Sequence, residues 1–157
     1  EGTFIRTSID EAAVNPMTYQ MVLMQGANEQ ILELRYCIEP AYTLLAMRKA
    51  TPEDLEKIHD TVVNLERKIC TNSQTAQDDL AFHEAILDAT HNPYLIRIGK
   101  TILQLFEASI QKSMCNIPDQ ALEDHRRIIE AFEQKDSDAL HEAVLKSFVG
   151  WEEMLYH

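Results

Sequence analysis

Residues 78–87 read DDLAFHEAIL, and their spacing predicts a helix with polar groups beside its core-facing side. Asp79 and His83 are four residues apart, so in a helix they lie one above the other on one face. That face borders an apolar stripe that includes Leu80 and Ile86. Since a buried polar group without a partner costs about 1–3 kcal/mol, we expect other polar side chains to approach this pair.

The composition of the 157 residues favours one all-α domain. Only four glycines and five prolines interrupt the chain, so long helices are favoured over short strands and turns. The net charge of −12 argues against direct binding to nucleic acid, and no apolar run approaches the roughly 20 residues of a membrane helix. Three well-separated cysteines suit a reducing compartment, so we expect a cytoplasmic protein.

The periodicity of apolar residues predicts about six helices and no sheet. The predicted helices cover residues 28–49, a segment that starts with Thr51 as N-cap, and residues 79–89, 94–114, 122–132 and 138–155. In the first of these, the residues expected to face the core are Ile31, Leu34, Ile38, Tyr42 and Leu45. The fold class is therefore predicted to be an antiparallel helical bundle.

The first 16 residues have a different character. Residues 1–6, EGTFIR, are typical of a turn followed by a short strand, and residues 7–16 are polar and end in proline. We interpret residues 1–6 as the end of a preceding domain, residues 7–16 as a linker, and residues 17–157 as the helical domain.

A second histidine is predicted to face the core. His125 lies three residues after Leu122 and three before Ile128, so it shares their helix face. Side chains on facing helices of a bundle can converge on a metal ion, and one carboxylate with two imidazoles suits several divalent transition metals. The alternative is that each histidine only forms hydrogen bonds within the core.

Arg35 also has two interpretations. It precedes Glu39 by four residues, a spacing typical of an ion pair on a solvated helix face. Alternatively, its guanidinium points into a cavity and binds a carboxylate in bidentate fashion. No nucleophile elbow, phosphate-binding loop, dinucleotide fingerprint or HExxH motif occurs in the sequence, so catalysis has little support.

Three stretches resemble the FadR-type C-terminal ligand-binding domain, or FCD domain, of GntR-family bacterial transcription regulators. They are ELRYCIEPAYTLLA (33–46), DLAFHEAILDATHNPYL (79–95) and EDHRRIIEAFEQKDSDAL (123–140), and the resemblance extends over roughly residues 17–155. It implies a dimeric bundle of six or seven helices that follows a winged helix-turn-helix domain. Residues 1–6 then resemble the last strand of that domain, which would supply the contact with operator DNA.

The resemblance also implies a divalent metal such as Zn, Ni or Mn, held by one aspartate and three histidines. Asp79, His83 and His125 match three of these positions, while Ser147 stands where the third histidine, the fourth ligand, is expected. Arg35 matches the arginine that binds an effector carboxylate.

The implied function is that of a sensor, in which a small organic acid enters the bundle and controls DNA binding by the winged-helix domain. Asn92 and Ser147 are further candidate effector contacts, although Asn92 before Pro93 is equally suited to capping a helix. One branch of the family binds acyl-CoA without a metal, which gives an alternative function. A metal-dependent enzyme is a third.

Overall fold

The computed structural model describes residues 28–149, apart from the side chains at positions 28, 31, 108 and 109, and this part of the chain is helical without strands. Its six helices are α1 (Asn28–Lys49), α2 (Pro52–Cys70), α3 (Ala76–Asp88), α4 (Pro93–Asn116), α5 (Pro118–Gln134) and α6 (Ser137–Ser147). The prediction of an all-α bundle is confirmed. The strand and linker expected in residues 1–16 lie outside the described residues.

Helix starts follow the capping signals in the sequence. At the start of α2 the backbone N–H of Thr51 donates to the carboxylate of Asp54 at 2.9 Å, and the Asp54 N–H donates back to Thr51 Oγ1 at 3.2 Å. Asn92 accepts hydrogen bonds from the first N–H groups of α4, and Asp136 does the same for α6. Short polar segments therefore separate the helices and let them fold back on one another.

The helix α3 lies at the centre of the bundle. It packs against α1, α2 and α4, while α5 packs against α2, α4 and α6, and α6 also contacts α1. Phe82 and Leu87 of α3 are fully buried, together with Phe106 of α4 and Leu140 of α6. The residues around Asp79 and His83 are thus enclosed by helices on several sides.

The buried face of α1 agrees with the predicted one at Tyr42, which is 2% exposed, but is displaced from it elsewhere. Leu34 and Ile38 are only half-buried, whereas Arg35 and Glu39 are almost completely buried. The apolar stripe was misplaced because a charged pair occupies the side of α1 that faces the interior. As a result, the cation of Arg35 and the anion of Glu39 lie next to the centre of the bundle.

The last helix of the described residues ends at Ser147. The predicted helix continues to residue 155, and its residues 150–155 lie outside the described range. Within residues 28–149, no helix has both the length and the apolar character needed to cross a membrane.

Candidate metal and effector site

Asp79, His83 and His125 meet in the interior of the bundle. His83 Nε2 lies 3.5 Å from Asp79 Oδ2, and His125 Nε2 lies 3.2 Å from Asp79 Oδ1. Each carboxylate oxygen therefore faces one imidazole, and the side chains are at most 7% exposed. Helices α3 and α5 thus bring the three predicted residues together.

The spacing of these atoms fits a divalent transition metal. One potential ligand atom from each residue lies within 4.8 Å of the others. Two ligands that each lie about 2.1 Å from a tetrahedral zinc ion are roughly 3.4 Å apart. The distances of 3.5 and 3.2 Å found here end on different oxygens of Asp79, so small side-chain movements would bring one oxygen and both imidazoles around a single ion. The donor set of two imidazoles and one carboxylate suits zinc, nickel or manganese, with remaining positions open to water or another ligand.

Glu39 is a fourth polar residue of this cluster, and the sequence analysis missed its role. Its Oε1 lies 2.9 Å from His83 Nδ1, and its Oε2 accepts a hydrogen bond from Arg35 Nε at 2.7 Å. Metal-bound histidines commonly donate their second ring N–H to such a carboxylate. The only sequence signal was the four-residue spacing from Arg35, which describes a surface pair equally well.

Neighbouring charges shift the pKa values of three residues of the cluster. Burial lowers the pKa of His83, but the negative charges of Glu39 and Asp79 outweigh this effect and raise it to about 9. Burial raises the pKa of Glu39, while Arg35 and His83 lower it more strongly, to about 2. The pKa of Asp79 is likewise held well below its usual range by the two imidazoles, against the effect of burial. Without a metal, His83 is therefore a buried cation between two carboxylates.

His125 is in a different electrostatic state from His83. Burial and the nearby charge of His83 lower its pKa, and the opposing effect of Asp79 is smaller, so it is neutral at pH 7. Its ring stacks on Phe82 at a centroid distance of 3.9 Å, and its buried Nδ1 has no hydrogen-bond partner among residues 28–149. A neutral imidazole is the form that binds metals.

Arg35 combines parts of both predicted interpretations. It forms the expected ion pair with Glu39, but the pair is buried rather than on a solvated face, with side chains 5% and 3% exposed. The guanidinium carbon also lies 4.9 Å from the centre of the Phe148 ring. Burial lowers the pKa of Arg35, yet Glu39 and Asp79 raise it overall, so the guanidinium stays charged.

A small cavity of about 40 Å³ opens beside the cluster. Such a volume holds a few water molecules, since one water needs roughly 10–15 Å³ by this measure. Arg35, Asp79, His83 and His125 contribute to its wall. The other residues of the wall are Ile110, Ser113, Ile117, Gln120, Ala121, Asp124 and Ser147.

The remaining predicted site residues have different positions. Ser147 lines the cavity, as its helical register indicated, and its hydroxyl donates to the carbonyl of Val144 at 2.8 Å. Asn92 does not belong to the cavity wall, and its side chain caps α4. The capping interpretation describes the observed contacts of Asn92, because its carbonyl oxygen is occupied by the N–H groups of Tyr94 and Leu95.

Comparison with known proteins identifies one domain family. The family model of the FCD domain matches residues 30–148. The galactonate operon transcriptional repressor of Escherichia coli is 30% identical over 117 residues, which cover 72% of this chain and 51% of the repressor. The putative L-lactate dehydrogenase operon regulatory protein of the same species is 31% identical over 161 residues, which cover 92% of this chain and 59% of that protein. The chain thus spans little more than half the length of these relatives, which are described as regulators of transcription and not as enzymes.

Solved structures of two regulators have a similar fold. McbR/YncC of E. coli superposes with a TM-score of 0.71 at 18% identity, over 82% of this chain and 63% of that one. A GntR protein of Streptococcus agalactiae gives a TM-score of 0.64 at 23% identity, over 81% and 61%. At these identities the likeness concerns the fold alone. The family match, in contrast, covers nearly all the described helices, and the chain belongs to the FCD domain family, the effector-binding domain of GntR-type transcription regulators.

Proposed function

We propose that this domain binds a small hydroxy carboxylate next to a divalent metal held by Asp79, His83 and His125. The observation that carries the proposal is that Arg35 and these three residues are buried side chains that line the same small cavity. The metal, when bound, supplies a Lewis-acidic position for an oxygen of the ligand. Arg35 supplies a fixed positive charge at the wall, which is the usual partner of a carboxylate in a protein interior.

The charge of the cluster supports an anionic ligand. With both histidines neutral, the charges of Arg35, Glu39, Asp79 and a divalent ion leave one net positive charge, since the carboxylate of Asp124 in the wall is offset by Arg127 at 3.1 Å. A buried charge without a counter-ion is costly. Binding of a monocarboxylate would neutralise it, so the metal-loaded site should select anions over neutral molecules of the same size.

The size and chemistry of the cavity support a small, hydroxylated ligand. Its volume of about 40 Å³ suits a ligand of a few heavy atoms better than an acyl-CoA. Ser113, Gln120 and Asp124 add a hydroxyl, an amide and a carboxylate to the wall, all of which can bond to a ligand hydroxyl. The names of two relatives refer to operons for galactonate and L-lactate, both hydroxy carboxylates. We therefore expect a 2-hydroxy carboxylate closer in size to lactate.

The role of the whole protein follows as a further part of the proposal. The acidic FCD domain, with a net charge of −12, would act as the sensor and dimerise in the cytoplasm. A winged-helix domain that precedes it would bind operator DNA. A ligand can shift this DNA binding only if it binds more tightly to one state of the domain than to the other.

The proposal is tested by calorimetric titration of the zinc-loaded and the chelator-treated domain with D-lactate, L-lactate and D-galactonate. We expect at least one lactate enantiomer to bind the zinc-loaded form, and binding to be lost in the chelator-treated form. Arg35→Met should abolish binding, whereas Arg48→Met, at an exposed position in the last turn of α1, should leave it intact. Binding that is equally strong without metal, or unaffected by Arg35→Met, would contradict the proposal.

A further inference from the structure

Glu39 joins the candidate metal site to the cation of the cavity wall. Its carboxylate lies 2.9 Å from His83 Nδ1 through one oxygen and 2.7 Å from Arg35 Nε through the other. All three side chains are at most 5% exposed, so water does not compete for these contacts. Glu39 of α1 therefore contacts both the candidate metal ligand His83 of α3 and the candidate effector-binding residue Arg35 of its own helix.

The contact with Glu39 determines which ring nitrogen of His83 faces the metal site. The carboxylate can only accept hydrogen bonds, so the Nδ1 that faces it must carry a proton. In the neutral ring this leaves Nε2 with a free lone pair, and Nε2 is the atom directed at Asp79. The orientation required for metal binding is thus built into the protein before a metal arrives.

A carboxylate is the side chain that this position requires. His83 Nδ1 and Arg35 Nε are both donors, and the two oxygens of Glu39 serve one each. A glutamine offers one oxygen and one NH₂ group, so either a donor would face a donor or the ring proton of His83 would move from Nδ1 to Nε2. Substitution by glutamine should therefore release one of the two side chains or place a proton on the nitrogen that faces the metal site.

We propose that Glu39 is a positioning residue that holds His83 with Nε2 toward the metal and Arg35 at the cavity wall. This inference rests on the proposed function, because it gives Glu39 a role in metal binding and in the placement of the effector contact. The metal site and the anion site then share one buried carboxylate. Loss of Glu39 should weaken metal binding although Glu39 is not itself a ligand.

The first test compares zinc affinity in the unsubstituted domain and in Glu39→Gln by titration with zinc chloride alone. We expect affinity to fall roughly 10- to 100-fold, as is usual when a partner of a metal-bound histidine is removed. Glu33→Gln is the matched control, because Glu33 is on the exposed side of α1. Its zinc affinity should equal that of the unsubstituted domain. Circular dichroism establishes that both variants are folded.

A second measurement needs no substitution and so stands even if Glu39→Gln fails to fold. Nuclear magnetic resonance of the zinc-loaded domain with ¹⁵N-labelled histidine reports which nitrogen of His83 binds the metal. We expect Nε2 to be the ligand and the Nδ1 proton to exchange slowly with water. A metal-bound Nδ1, or rapid exchange of its proton, would overturn the inference.

The outcomes separate this inference from the proposed function. Zinc binding that is equally tight in Glu39→Gln and in the unsubstituted domain would overturn the role of Glu39 alone. An unsubstituted domain that binds no zinc would overturn the proposed function together with this inference.

Discussion

Asp79 presents one carboxylate oxygen to each of two imidazoles, 3.2 Å from His125 Nε2 and 3.5 Å from His83 Nε2. It is the residue that links the two histidines, which come from different helices. Removal of its charge should therefore affect metal binding more than any change outside the cluster.

Asp79→Asn is expected to abolish measurable zinc binding. The amide replaces a metal-binding oxygen and leaves the buried His83 with one anionic partner fewer. It should also lower the free energy of unfolding by about 1–3 kcal/mol. Calorimetric zinc titration and urea denaturation measure the two effects.

The adjacent aspartate provides the control for this substitution. Asp78 accepts hydrogen bonds from Thr75 and Lys68 at the start of α3 and lies outside the cavity wall. Asp78→Asn should therefore reduce stability and keep zinc affinity. Retention of zinc by Asp79→Asn, or an equal loss in both variants, would contradict the assignment.

Ser147→His is expected to strengthen metal binding. Ser147 lines the cavity at the position where the family resemblance places a third histidine. A serine hydroxyl is a poor ligand for zinc, whereas an imidazole supplies a fourth strong donor. Competition with a chelator should show a higher zinc affinity in the variant. An affinity equal to or lower than that of the unsubstituted domain would show that residue 147 does not face the metal.

The stability of the metal-free domain is predicted to fall as the pH rises above 6.5. The pKa of His83 is about 9 in the folded state, and the ordinary value in an unfolded chain is about 6.5. The stabilising effect of its protonation is complete below pH 6.5 and is lost as the pH rises through 9. The loss is on the order of 3 kcal/mol.

His125 has the opposite effect at lower pH. Its pKa is lowered in the folded state, so the unfolded chain takes up a proton below pH 6.5 that the folded chain does not. Stability should therefore have a maximum near pH 6.5. Urea denaturation in the presence of a chelator, at pH values from 5 to 9, measures this curve. His83→Gln should remove the decrease above pH 6.5, and an unchanged decrease in that variant would contradict the assignment.

Gly99 permits a close approach of α3 and α4. A methyl group on Gly99 would lie 2.6 Å from Leu87 Cδ2, and Leu87 is fully buried and cannot move aside freely. Gly99→Ala should therefore destabilise the domain by about 1–3 kcal/mol, although alanine favours helices by about 1 kcal/mol. Urea denaturation measures the change. In a Leu87→Ala background the effect of Gly99→Ala should be smaller, and equal effects in both backgrounds would exclude this contact as the cause.

Much of the fold follows directly from local sequence signals. Thr51, Asn92 and Asp136 cap the helices as their residue types and positions indicate. The four-residue spacing of Asp79 and His83, and the position of His125 among apolar neighbours, placed all three in the interior. These predictions succeeded because each depends on one helix at a time.

The rest of the site depends on how the helices pack, which the sequence did not reveal. Arg35 and Glu39 have the spacing of a surface ion pair. They are buried because α3 packs against α1 and brings His83 next to Glu39, which the spacing does not indicate. The size of the cavity likewise results from side chains of five helices, α1 and α3–α6. The periodicity argument for α1 counted only apolar residues, whereas the side that faces the interior also includes the charged Arg35 and Glu39.

The measurement that tests the central claim most directly is elemental analysis of the purified, untagged domain by inductively coupled plasma mass spectrometry. The domain is dialysed after incubation with zinc, nickel or manganese, and His83→Ala is treated in parallel. We predict about one equivalent of a transition metal in the unsubstituted domain and none in His83→Ala. No metal in the unsubstituted domain, or equal metal in both, would contradict a site formed by Asp79, His83 and His125.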